Sequence, residues 1–144
     1  MEKEKNIIIM KLKFEGECLN GKRNCKGKEY YYNGKLKFEG EYINEERNGK
    51  GKEYNQYGKL VFEGEYLNGI WNGKGKKYDY NGKLEFEGEY MNGERNGKGK
   101  EYYDDGELKF EGEYLNGKKW NWKVYNKEGN IDFKIIDGKM KLNI

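Results

Sequence analysis

The sequence predicts an all-β fold: an elongated, single-sheet antiparallel meander of successive β-hairpins, arranged as a solenoid-like array. Three observations lead there. Phe-Glu-Gly-Glu occurs five times, beginning at Phe14, Phe38, Phe62, Phe86 and Phe110, always 24 residues apart. A fixed period between about 20 and 50 residues marks an array of one supersecondary unit. Within a unit, Leu36, Phe38, Gly40 and Tyr42 alternate with Lys37, Glu39, Glu41 and Ile43, and period-two alternation is the pattern of a half-buried strand. Finally, the chain has 22 Gly and no Ala, a poor mixture for helices because Gly costs about 1 kcal/mol relative to Ala in a helix interior.

The elements follow in order. Residues 1–13 are read as a solvated tail and a cap strand, with Ile7 to Lys13 leading into the first Phe motif. Terminal repeats need altered faces to close a stack. Residues 14–128 carry the five repeats. Each opens with a strand, and the turn that follows begins with Asn-Gly at Asn20-Gly21, Asn68-Gly69 and Asn92-Gly93, a strong hairpin signal. A second strand runs through Gly49-Lys50-Gly51-Lys52-Glu53-Tyr54. Interior glycines in a strand mark a bulge or a close approach, here by an aromatic ring of a facing strand or a neighbouring repeat. Glu39 and Glu41 on one strand against Lys50 and Lys52 on the next predict opposite-charge pairs across the sheet, worth roughly 0.2–1 kcal/mol each.

In the fifth repeat, Asn96-Gly97-Lys98-Gly99 becomes Asn121-Trp122-Lys123-Val124. Bulk replaces two glycines, as suits a last unit with no following neighbour to cover its groove. Residues 129–144 form a degenerate C-terminal cap. Gly129 to Phe133 echoes Gly106 to Phe110, and Ile135, Ile136, Met140, Leu142 and Ile144 supply an apolar strand pair. The whole of 1–144 reads as a single repeat domain.

Composition narrows the functions. Mean hydropathy is -1.29, yet 16% of residues are aromatic and recur at fixed repeat positions, which argues for a folded array over a disordered tail. Net charge is only +3, with no continuous basic stripe for a phosphate backbone, so nucleic acid is not an expected partner. No apolar stretch approaches the roughly 18 residues of a membrane span. Two cysteines, Cys18 and Cys25, are too few for a disulfide framework. Buried free thiols and a cytoplasmic protein are the expectation, with a Cys18–Cys25 disulfide or redox pair across the first hairpin as the alternative. The absence of His, Ser and Thr removes hydroxyl–histidine and thiol–histidine nucleophiles and His-based metal sites. No enzyme activity, cofactor or metal is expected.

Phe-Glu-Gly-Glu-Tyr-Leu-Asn-Gly followed by Asn-Gly-Lys-Gly resembles the MORN motif, from about Leu12 to Phe133. The unit here has 24 residues against that family's usual 23, and a bulge or longer link near Lys52 to Tyr54 would absorb the extra one. Glu45 replaces the turn Gly, and Ile70-Trp71 replaces the usual basic pair. The resemblance implies a hairpin array with aromatics lining one groove, serving as a scaffold or interaction platform. Some members have been proposed to bind phosphoinositides.

Two function classes result. The first is a non-catalytic scaffold binding protein partners. Its groove would be lined by Phe38, Tyr42, Phe62, Tyr66, Phe86, Tyr90, Phe110 and Tyr114. Those rings also serve as core, but a single-layer sheet is expected to leave part of the row accessible. Ile70 and Trp71 stand out as apolar residues at a hairpin turn where other copies carry Arg23, Arg47 and Arg95; either a partner or the next repeat covers them. The second class is peripheral binding to anionic membranes through Lys22, Arg23, Lys26 and Lys28, the basic first repeat. Pairing of end strands into a dimer is a further option.

Overall fold

The computed structural model describes residues 11–15 and 25–142. The chain divides into two compact units, Met1–Ile70 and Trp71–Ile144. In the first lie β1 (Lys11–Glu15), β2 (Cys25–Tyr30), β3 (Leu36–Ile43), β4 (Glu46–Tyr54) and β5 (Leu60–Leu67). In the second lie β6 (Ile70–Tyr78, entered from the last residue of the first unit), β7 (Leu84–Met91), β8 (Glu94–Tyr102), β9 (Leu108–Leu115), β10 (Lys118–Tyr125), β11 (Ile131–Ile136) and β12 (Lys139–Leu142). Within each unit every strand pairs antiparallel with its chain neighbours. No helix occurs among the described residues. The expected all-β antiparallel meander is therefore what forms. Of the N-terminal cap, Ile7 to Met10 lie outside the described residues, as does the Asn20-Gly21 turn.

The charge alternation along the chain becomes alternation across the sheet. Lys28 faces Glu39, Glu39 faces Lys52, and Lys52 faces Glu63. In the second unit Lys76, Glu87, Lys100, Glu111 and Lys123 form one such row. The opposite face carries Phe38, Gly40 and Tyr42 from β3 against Glu53, Gly51 and Arg47 from β4. We call these the charged face and the aromatic face.

The extra residue of the 24-residue unit is a β-bulge. Glu53 pairs with Phe62 but Tyr54 pairs with Leu60, leaving Val61 unopposed. The same shift recurs at Glu29/Tyr30, Lys77/Tyr78 and Glu101/Tyr102. A second irregularity follows Arg47 and Arg95 in their strands, and the hairpin turns reach back to the preceding hairpin. There Gly117 N–H donates to Arg95 O at 2.9 Å and Asn116 N–H donates to Asn96 Oδ1 at 2.9 Å. Gly93 and Asn92 do the same to Trp71 O and Asn72 Oδ1. The second Asn-Gly of each repeat is thus the acceptor that pins the next turn.

The strand pair expected near the C-terminus forms as β11–β12, with Ile144 outside the described residues. One detail of the fifth repeat differs from the sequence alignment. Trp122 faces Gly112 as Gly99 faces Gly88, and Val124 faces Phe110 as Glu101 faces Phe86. Trp122 and Val124 therefore replace Gly99 and Glu101 rather than Gly97 and Gly99, because the β10 bulge is shorter, with only Trp120 between the paired Lys119 and Asn121. Both side chains are buried. Cys25 also differs from expectation: it is disulfide-bonded rather than a free thiol, and Cys18, the chain's other cysteine, lies outside the described residues.

Candidate functional site: a caged aromatic row and an exposed apolar edge

In the complete cages, at Phe38 and Phe86, the ring sits on a glycine floor. A Cβ on Gly51 would overlap the Phe38 ring, and one on Gly99 would press on the Phe86 ring. Tyrosines stand edge-on around it: Phe38 lies 5.6 Å from Tyr42 and 5.1 Å from Tyr66, at interplanar angles of 89° and 84°. Such T-shaped pairs contribute about 0.5–1.5 kcal/mol beyond area burial. The open top is closed by a cation. Arg47 Cζ lies 4.1 Å above the Phe38 ring and Arg95 Cζ 4.0 Å above the Phe86 ring, a cation–π contact that also excludes water.

The lid is held by carboxylates from another strand and from its own. Arg47 Nε and Nη2 donate to Glu29 at 2.8 and 3.0 Å, and Arg47 Nη1 lies 3.2 Å from Glu53. Tyr42 Oη donates to Glu29 at 2.6 Å and Tyr66 Oη to Glu53 at 2.6 Å. Burial alone would raise the Glu29 carboxyl, but the Arg47 and Tyr42 hydrogen bonds outweigh it and hold the group below its ordinary value. Burial, together with the Glu29 hydrogen bond, pushes the Tyr42 phenol up. In the second unit Arg95 lies 3.3 Å from Glu101, and Tyr114 donates to the same carboxylate. Lys77 stands where the other repeats have Glu29, Glu53 and Glu101, and the charge is returned by Glu85, 3.2 Å away. In the last repeat Lys119 takes the Arg place, with Nζ 3.6 Å over Phe110.

These cages decide the fate of the predicted site. Phe38, Tyr42, Phe62, Tyr66, Phe86, Tyr90 and Tyr114 are buried, and only Phe110 is half-buried. The expectation of a partly accessible aromatic groove fails at these seven positions. A one-layer sheet leaves a face open only if nothing folds over it, and here Arg and Tyr side chains do. Trp71 is likewise not at a turn: it is the second residue of β6, the strand position of Arg47 and Arg95. It is half-buried, its ring 5.4 Å from Tyr90. Ile70 is 48% exposed, as a contact residue requires. Of the basic set, Lys26 and Lys28 face Glu41 and Glu39 across the strands, which reduces the field they present. Lys22 and Arg23 lie outside the described residues.

Sequence reasoning missed exposed apolar residues on the charged face of each unit. Leu67, Met91 and Leu115 are the last residues of β5, β7 and β9, each just before an Asn-Gly turn, and are 47%, 54% and 47% exposed. The signal was available: Ile43 occupies the outward-facing set with Glu39 and Glu41, and its equivalents recur every 24 residues.

The structure thus defines a class: an antiparallel hairpin-repeat protein whose unit is a ring, a glycine floor and a charged lid. The MORN repeat model matches residues 38–56 and 86–107, and the MORN repeat variant model matches 26–44 and 71–92. The chain thus carries MORN-type repeats within residues 26–56 and 71–107. MORN repeats are a non-enzymatic repeat type known in protein-binding and membrane-associated scaffolds. No curated protein matches the chain.

Proposed function

We propose that this protein is a non-catalytic scaffold that binds a protein partner along the Asn-Gly ends of its hairpins. The observation that carries the reading is the exposure of an apolar residue at the same place in successive repeats, with Leu67 and Ile70 together on either side of the Asn68-Gly69 turn. Single exposed apolar residues are ordinary on a protein surface, whereas here they come in sets, Leu67 with Ile70 in the first unit and Met91 with Leu115 in the second. Charged neighbours at Glu46, Glu94 and Lys118 would form the polar rim that surrounds such contacts. The aromatic row supports this surface from beneath by making each hairpin rigid.

A photo-crosslinking residue placed at Ile70 or Met91 tests the reading in native lysate, with Tyr57, on the opposite hairpin end, as control. Adducts specific to positions 70 and 91, lost on Leu67→Lys, are expected. Adducts equally abundant at position 57, or none at positions 70 and 91, would overturn the proposal.

A further inference from the structure

The charged face breaks its own rule at one end of the second unit. Across β6 to β10 the row runs Lys76, Glu87, Lys100, Glu111, Lys123. It then continues Lys123, Lys134, Lys141, with three lysines directly opposite one another on β10, β11 and β12. Like charges placed opposite destabilise a sheet. Lys123 has Glu111 on its other side, whereas none of the three makes an ion pair among the described residues. Lys139 adds a fourth basic residue on β12, next to the turn at Asp137.

The molecule itself shows what complements such a strand. Ile135 faces Met140 and Lys134 faces Lys141 as Gly40 faces Gly51 and Glu39 faces Lys52. Lys139-Met140-Lys141 therefore occupies the place of Lys50-Gly51-Lys52. That interior strand is paired by Glu63-Gly64-Glu65, with Lys52 opposite Glu63 and Lys50 opposite Glu65. Among the described residues β12 is hydrogen-bonded on one side, to β11. Met140 is 64% exposed, and a glycine opposite it would leave room for its side chain.

We infer that β12 is a strand-addition site for an extended partner segment of the pattern acidic-glycine-acidic. The segment adds antiparallel to β12, its backbone completing the ladder and its two carboxylates meeting Lys141 and Lys139. Lys134 and Lys123 stand behind Lys141 and deepen the positive potential, which interior strands lack. Main-chain pairing supplies affinity and the alternating side chains supply selection. This surface uses a different element from the Leu67 and Ile70 edge and does not depend on it.

The test uses the full chain and a labelled peptide of the sequence Leu-Lys-Phe-Glu-Gly-Glu-Tyr-Leu, titrated by fluorescence anisotropy at low and high salt. Expected are saturable binding weakened by salt, slowed amide exchange in residues 139–142, and roughly tenfold or greater loss in Lys139→Glu/Lys141→Glu. A peptide with Lys-Gly-Lys in the centre should bind that variant and not the wild type. Both changed residues are exposed, so near-UV circular dichroism should match wild type. Absence of binding, binding unchanged in the variant, or equal binding of a scrambled peptide of the same charge would overturn the inference. Sedimentation showing a wild-type dimer dissolved by Lys139→Glu/Lys141→Glu would make the occupant a second copy and overturn the assignment to a partner.

Discussion

Arg47 is the residue on which a cage depends. Its guanidinium covers Phe38 and satisfies Glu29 from β2 and Glu53 from its own strand. Removing one member of a largely buried ion pair leaves the other charge uncompensated and costs about 3 kcal/mol or more. Arg47→Ala should lower stability by roughly that amount, and Arg47→Lys should recover only part of it, since a lysine cannot make the bidentate contact; urea denaturation reads both. Glu45 is a residue whose replacement should help. It sits at φ 65°, in a turn position that Gly69 and Gly93 fill at φ 83° and 84°. The left-handed region costs a non-glycine residue about 1–2 kcal/mol, so Glu45→Gly should stabilise by about 1 kcal/mol in the same assay.

The cage and the charged face make stability depend on pH at opposite ends. The Glu29 carboxyl is lowered in the folded chain from an ordinary 4.5, so its contribution is complete above that value and drains away as pH falls through the lower folded value. Tyr54 moves the other way. Burial and its hydrogen bond to Glu39 push the phenol from 10.0 up to about 12. Its contribution is complete below pH 10 and is lost as pH rises toward 12. Glu29→Gln should flatten the acid limb of a stability–pH curve, and Tyr54→Phe the alkaline limb.

At the scale of the element, β10 and β11 show how an array ends. Trp122 occupies the place of a floor glycine and packs 4.5 Å from Tyr114, with Nε1 donating to Glu113 O at 2.7 Å. Truncating a buried aromatic costs about 3–5 kcal/mol, so Trp122→Ala should destabilise the second unit by that order. The lysine row makes the reverse prediction. Lys134→Glu would restore alternation between Lys123 and Lys141, and two repaired cross-strand pairs should raise stability by about 0.4–2 kcal/mol. A thermal melt that leaves the midpoint unchanged would show that the three lysines do not repel. The Phe-Glu-Gly-Glu pattern made the strand identity of β11 readable through Phe133. It did not announce the charge reversal, because Lys134 reads as an ordinary outward residue until its two neighbours in space are known.

For the whole molecule, every pairing joins strands adjacent in the chain, so each repeat depends chiefly on its neighbours. Phe86→Ala should therefore reduce amide protection most in β7, β8 and β9 and least in β3, a gradient that hydrogen exchange resolves. What the sequence by itself determined was everything local to one period. The 24-residue interval placed the strands, the Asn-Gly pairs placed the turns, the extra residue called for a bulge or a longer link, and the Glu and Lys parity foretold their pairing. What only the tertiary structure decided was exposure. Phe38 is closed off by Arg47 from the next strand and by Tyr66 from the strand after that, and Arg47 is anchored by Glu29 from two strands before. Tyr66 lies 28 residues from Phe38, and Glu29 belongs to the preceding repeat, so alternation within one repeat could place the ring on a face but not say that the face was covered. Leu67, Met91 and Leu115 have the opposite fate for the same reason: among the described residues no lid covers these strand ends beside an Asn-Gly turn, and the side chains remain open to solvent.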